Sequence, residues 1–245
     1  MSDRPEFAVE LVDRLRLIPG VVAVTLGGSR AQGTHRPDSD WDFGLYYRDT
    51  IDPDDVRALG FPGEVSAPGD WAYPMNGGAW LTVDDRKVDL LYRDVADVER
   101  WTAEAEQGRW ELFRVPGYLC GMGSDVIVGE ASIGLVLAGD LAQPDFPELL
   151  AEHGPGKWRW EAAFALRLAE PHARRGEEAA CVGKVCVAVV AEAHARLMAR
   201  REWALNDKGV VARSRLDDVE RRIRQGGDLP GLVADVRSAL RIDDD

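Results

Sequence analysis

The sequence predicts an α+β fold, with a mixed β-sheet flanked by helices in residues 1–140 and an α-helical bundle in residues 141–245. Three observations predict it. Short apolar runs suited to strands alternate with helical patterns through the first half. From about Pro144 the strand signals stop and apolar residues recur at helical spacing. Between 139 and 147, Gly139-Asp140 and Pro147 mark a boundary.

Residues 4–17 place Phe7, Leu11 and Leu15 on one helical face, and Pro19-Gly20 ends that helix. Val21-Val22-Ala23-Val24-Thr25-Leu26 reads as a buried strand. Gly27-Gly28 then permits a tight bend, and Ser29 stands where a helix should open. Asp40-Trp41-Asp42-Phe43-Gly44-Leu45 follows as a strand. Its alternation sends Asp40, Asp42 and Gly44 to one face and Trp41, Phe43 and Leu45 to the other. Asp52-Pro53-Asp54-Asp55 starts a short helix, and the Gly/Pro-rich residues 60–78 form a loop or irregular hairpin. Two strands, 79–83 and 87–92, flank Asp84-Asp85, and Asp94 caps a helix reaching about Gln107. In the second half Trp158, Ala162, Ala165 and Ala169 share a stripe, as do Val182, Val185, Val189 and Ala193, with Leu197 further along. The polar segment Leu205-Asn206-Asp207-Lys208-Gly209 interrupts this pattern, and Asp243-Asp244-Asp245 reads as a frayed tail.

Two carboxylates emerging side by side repel, and a divalent cation between them removes that cost. Magnesium suits such a site because it takes oxygen ligands from one or two carboxylates together with phosphates and water. Taken alone, Asp40 and Asp42 fit solvated acids on an exposed strand edge better. Gly44, in line with them, would let a ligand approach the backbone. Backbone N–H groups at the Gly27-Gly28-Ser29 turn suit phosphate oxygens, with the Ser29 hydroxyl and the Arg30 charge in support. An ordinary strand-to-helix turn fits the same residues. Asp89, inside Val88-Asp89-Leu90, is a carboxylate amid residues that want burial, so it needs a partner, a metal or a wet strand end.

Leu26-Gly27-Gly28-Ser29, then Asp40-Trp41-Asp42-Phe43, then Val88-Asp89-Leu90 resemble, in order, the hallmark of the polymerase beta-like nucleotidyltransferase superfamily. By length and layout the chain is most similar to the small bacterial antibiotic nucleotidyltransferases of the kanamycin and lincosamide types. The resemblance implies transfer of a nucleoside monophosphate, expected to be AMP, from a nucleoside triphosphate to a hydroxyl of a small acceptor. It implies Asp40, Asp42 and Asp89 as catalytic residues and as ligands of two Mg2+ ions, with Asp89 also a candidate base. It assigns Gly27, Gly28, Ser29 and Arg30 to the nucleotide phosphates. Lys208, with Lys184 as rival, is the candidate helical-domain contact to them, and either equally suits a snorkelling surface lysine. The alternatives are a protein- or tRNA-modifying transferase of toxin-antitoxin type and a non-catalytic nucleotide sensor. A homodimer is among the assemblies the resemblance allows.

A net charge of −13 argues against a broad nucleic-acid surface and leans toward a cationic acceptor. No apolar run approaches a membrane span, and Met1-Ser2-Asp3-Arg4-Pro5 lacks the layout of a secretion signal, so a cytoplasmic location is expected. Cys120, Cys181 and Cys186 lack metal-site spacing and read as buried thiols, and His35 as a solvated loop residue.

Overall fold

Helical periodicity before residue 17, the strand runs and the later stripes each become an element in a computed structural model that describes residues 5–242. The expected helix start at Arg4 and the tail Asp243-Asp244-Asp245 lie outside the described residues. In chain order the elements are α1 (Glu6–Leu15), β1 (Val21–Leu26), α2 (Gly28–Ala31), β2 (Trp41–Tyr47), α3 (Pro53–Arg57), β3 (Gly63–Val65), β4 (Gly78–Val83) and β5 (Arg86–Asp94). Then come α4 (Val95–Glu106), β6 (Leu112–Phe113), β7 (Met122–Gly123), α5 (Asp125–Ile133) and β8 (Leu135–Gly139). The rest is helical: α6 (Glu148–His153), α7 (Pro155–Arg175), α8 (Glu178–Ala199), α9 (Val210–Arg213), α10 (Asp217–Gln225) and α11 (Leu229–Leu240).

The chain divides into two compact units. The first takes the described residues up to Ala103 together with Gly123–Asp145, and the second takes Glu104–Met122 together with the residues from Phe146 onward. This differs from a single cut at 140. The segment 104–122 belongs with the helices because Trp110 stacks on Trp158 at 5.0 Å and donates its indole N–H to the Gly154 carbonyl at 3.0 Å.

In the first unit six strands form one mixed sheet in the order β3-β4-β5-β2-β1-β8. Only β2 and β5 run parallel, and every other neighbouring pair is antiparallel. Alternation assigns the faces. Leu26, Phe43, Leu45, Leu81, Val88 and Leu90 bury against Phe7, Leu11 and Leu15 of α1, so the predicted amphipathic helix covers one side of the sheet. Asp52 caps α3 by accepting the Asp54 N–H at 2.9 Å, and Asp94 accepts the Ala96 N–H at 2.8 Å at the start of α4. The Gly/Pro-rich stretch proves to be an irregular hairpin in which β3 pairs with β4. Sequence reading gave no element to residues 125–139, where α5 and the edge strand β8 lie. The burial of α5 on nearly all sides explains this, since Val126, Ile127, Val128 and Ala131 leave no polar stripe to define a period.

In the second unit α7 and α8 meet along the two predicted stripes. Trp158, Ala162, Ala165, Ala169, Val185, Val189, Ala193 and Leu197 are all buried, while Val182 is half-buried. Cys120 and Cys181 are buried and Cys186 is half-buried, all three as free thiols. Burial pushes the Cys120 thiol up to about 12, so it stays protonated at neutral pH.

Candidate functional site

The strand register assembles the site. Asp42 of β2 pairs directly with Asp89 of β5 in the parallel ladder, so both side chains leave the same face on neighbouring strands. That spacing is about 4.8 Å. The turn after β1 joins this pair on the opposite side of Asp42. The Gly27 N–H donates to the Asp42 carbonyl at 2.8 Å, which extends the β1–β2 ladder by one residue. Gly28, with φ at +58°, lies against the Asp42 carboxylate so closely that a Cβ there would fall 1.8 Å from Oδ2. Only glycine satisfies both conditions, the left-handed backbone and the missing side chain. The turn therefore lies directly against the Asp42 carboxylate.

Asp40 behaves differently from the alternation forecast. Strand β2 begins at Trp41, so Asp40 stands one residue before the ladder. The cause is Arg30: its Nη2 donates to the Ser39 carbonyl at 2.6 Å and its Nε to the Asp40 carbonyl at 3.1 Å, which takes those carbonyls away from strand pairing. The guanidinium also lies 4.1 Å over the Trp41 ring. Arg30 thus anchors the end of the 32–40 loop. Among the described residues no three His, Cys, Asp or Glu side chains are gathered into a metal-binding group, and Asp40 is exposed at the loop end.

Two further expectations change. Gly44 offers no room to a ligand, because a Cβ there would meet the Thr25 hydroxyl at 2.7 Å and the Tyr46 ring at 2.8 Å. Its task is to seat Tyr46, whose hydroxyl is pushed up by burial. Helix α2 is a single turn, Gly28–Ala31, with Gly27 as its N-cap and Ser29 inside it. So short a helix carries little dipole, and any anion there depends on the backbone N–H groups themselves.

The remaining predicted residues lie elsewhere. His35 is exposed in the 32–40 loop, and Lys184 is half-buried on α8. Lys208 is exposed in the second unit, its backbone N–H donating to Asn206 Oδ1 at 2.8 Å. Sequence reading passed over its neighbour. Asp207 accepts the Leu119 N–H at 2.8 Å and faces His194 Nε2 at 3.3 Å, while the His194 ring stacks on Trp158 at 4.7 Å. Burial raises the Asp207 carboxyl, but the bonds from His194 and Leu119 together outweigh it and hold the group below the ordinary value. It also passed over Trp80, which β4–β5 pairing sets directly opposite Asp89. An aromatic residue on the face that Thr82 shares, opposite the apolar Ala79, Leu81 and Val83, was the available signal.

Asp42 and Asp89 supply hard oxygen donors on adjacent strands, a set that suits a magnesium-class cation. Gly28 leaves the room in which one of these carboxylates lies against the turn.

The chain matches the nucleotidyltransferase domain family over residues 9–93, a span holding the glycine turn, Asp40, Asp42 and Asp89. No curated protein matches it significantly. Among solved structures it is similar to a nucleotidyltransferase-like protein from Exiguobacterium sibiricum, at 12% identity and TM-score 0.45, covering 94% of this chain and 70% of that one. An aminoglycoside 6-adenyltransferase from Bacillus subtilis matches at 11% identity and TM-score 0.31, over 97% of this chain and 89% of the other. The CdnE cyclic dinucleotide synthase of Elizabethkingia meningoseptica matches at 12% and 0.28, over 95% and 90%.

Proposed function

We propose, from the match of residues 9–93 to the nucleotidyltransferase domain family, that this protein transfers a nucleoside monophosphate, AMP in the first instance, from a nucleoside triphosphate to a hydroxyl of a small cationic, aminoglycoside-like acceptor, releasing pyrophosphate. The observation that carries this reading is the in-register pairing of Asp42 with Asp89 beside the Gly27-Gly28 turn. Net charge adds to it, since a chain at −13 attracts cations and repels long polyanions. The reading also places the protein in the cytoplasm, where nucleoside triphosphates are available; no helix among the described residues is long and apolar enough to cross a membrane.

Asp42 and Asp89, with Asp40, would hold divalent magnesium. Magnesium, when bound, neutralises charge growing on the transferred phosphoryl group and acidifies the attacking hydroxyl. The N–H groups of the Gly27-Gly28-Ser29 turn and the Ser29 hydroxyl hold the terminal phosphates, which orients the α-phosphorus for attack. Asp89, the carboxylate further from the turn, accepts the proton of the acceptor hydroxyl. Arg30 contributes by fixing the Ser39 and Asp40 carbonyls.

The test is incubation with each nucleoside triphosphate, magnesium and a panel of aminoglycosides, lincosamides and tRNA, read by mass spectrometry for a product heavier by one nucleotide. The expected outcome is a modified small amine. Asp42→Asn should lower turnover about a thousandfold or more, because several kcal/mol of charge stabilisation are lost, and should leave the melting temperature unchanged. Unaltered turnover in that variant would falsify the site assignment.

A further inference from the structure

We propose that Trp80, stacked on Trp71 and flanked by Glu64 and Asp89, is the platform that receives the acceptor, and that it selects an amino-sugar ring bearing hydroxyls and at least one ammonium group. The inference rests on the nucleotidyl-transfer reading for its orientation, and on the sheet register for its geometry.

The register lines up one row across the first unit's sheet. Glu64 of β3 pairs with Trp80 of β4, Trp80 with Asp89 of β5, and Asp89 with Asp42 of β2, whose carbonyl takes the Gly27 N–H. Directly paired residues project to the same face, so these four side chains stand side by side at strand spacing. Trp80 keeps 51% of its surface exposed. An open indole next to a carboxylate of the reaction centre is unusual for a side chain that gains so much from burial.

The indole is also held in place. Its ring stacks on Trp71 at 4.8 Å with 21° between planes, and Trp71 Nε1 donates to Ser66 Oγ at 2.9 Å. Gly78 lies beneath Trp71: a Cβ there would meet the Leu90 carbonyl first, at 1.9 Å, and the Trp71 ring at 3.0 Å. A pre-oriented indole between two carboxylates favours a ligand with an apolar ring face and a positive charge, through cation–π and charge attraction together.

In-line transfer decides which substrate this is. The attacking and leaving oxygens lie on opposite sides of the phosphorus. With the terminal phosphates at the glycine turn, the leaving group departs on the β1 side of Asp42. The nucleophile then enters over Asp89 and Trp80. A nucleotide's own negative charge is disfavoured between Glu64 and Asp89.

The probe is neamine, a small two-ring polyamine sugar, titrated calorimetrically without nucleotide. A non-hydrolysable ATP analogue with magnesium is titrated separately. Trp80→Ala should weaken neamine binding at least tenfold, Trp80→Phe should retain most of it, and Glu64→Gln should weaken it and reduce its salt dependence. Binding of the ATP analogue should stay unchanged in all three. The proposal is overturned if the native protein does not bind neamine, if Trp80→Ala binds it equally well, or if that variant loses the ATP analogue instead, which would give the stack to the nucleobase. Trp80-dependent neamine binding by a protein that transfers no nucleotide would support the platform while rejecting the transfer reading, so the two fail separately.

Discussion

Gly28 shows how a single residue links fold to chemistry. Its φ of +58° and its approach to the Asp42 carboxylate leave no position for a side chain. Gly28→Ala should therefore push the Asp42 carboxylate away from its place beside Asp89. The cost in stability is about 1–3 kcal/mol for the strained backbone, while kcat/KM should fall about a hundredfold or more because a misplaced ligand degrades the reacting geometry. Steady-state kinetics and a melting curve separate the two effects, and a variant that loses stability with normal kinetics would contradict the role given to this contact. Arg30 belongs to the same scale. A basic residue after Gly-Gly-Ser suggests a phosphate ligand, yet its guanidinium is committed to two backbone carbonyls and the Trp41 ring.

Among the elements, α5 is the one that pins the sheet's second face. Glu130 accepts from Arg93 of β5 through both oxygens, one contact being Nη2 to Oε1 at 2.9 Å, and Arg93 also donates to the Met75 and Tyr92 carbonyls at 2.8 Å each. Arg93 is 3% exposed and Glu130 18%, so this pair sits largely out of water. Removing one partner leaves the other charge buried and unmatched, at a cost of about 3–5 kcal/mol. Arg93→Met should lower the denaturant midpoint accordingly, and the double variant Arg93→Met/Glu130→Met should recover much of the loss. Equal destabilisation of the single and double variants would show that packing, rather than charge, ties α5 to β5.

For the molecule as a whole, acid sensitivity follows from the second unit. The Asp207 carboxyl sits below its unfolded value because bonds from His194 and Leu119 outweigh its burial. A depressed native value means that the stabilisation is complete above the unfolded pKa of about 4 and is lost as pH falls through the native one. Unfolding measured from pH 7 down to pH 3 should show this loss, and Asp207→Asn should flatten that limb while lowering stability at neutral pH. An unchanged acid limb in the variant would remove the pair from the account. At neutral pH the same bonds fix the turn that carries Lys208 to α8 and to Leu119.

Local pattern was enough for much of this protein. Apolar periodicity placed α1, β1, β4, β5, α7 and α8, because burial on one face repeats at a period that neighbours in sequence record. Gly-Gly-Ser and the two later acidic strands pointed to a phosphate and metal chemistry for the same reason. Sequence could not show α5, whose sides are nearly all apolar, nor the release of Asp40 from the strand, which depends on the Arg30 side chain reaching two backbone carbonyls. The pairing of Asp89 with Asp42 came from register alone, whereas Trp80 meets Asp89 across the short turn at Asp84-Asp85. Register joins residues tens of positions apart and is set by which faces of several strands bury together, so only the assembled sheet decides it.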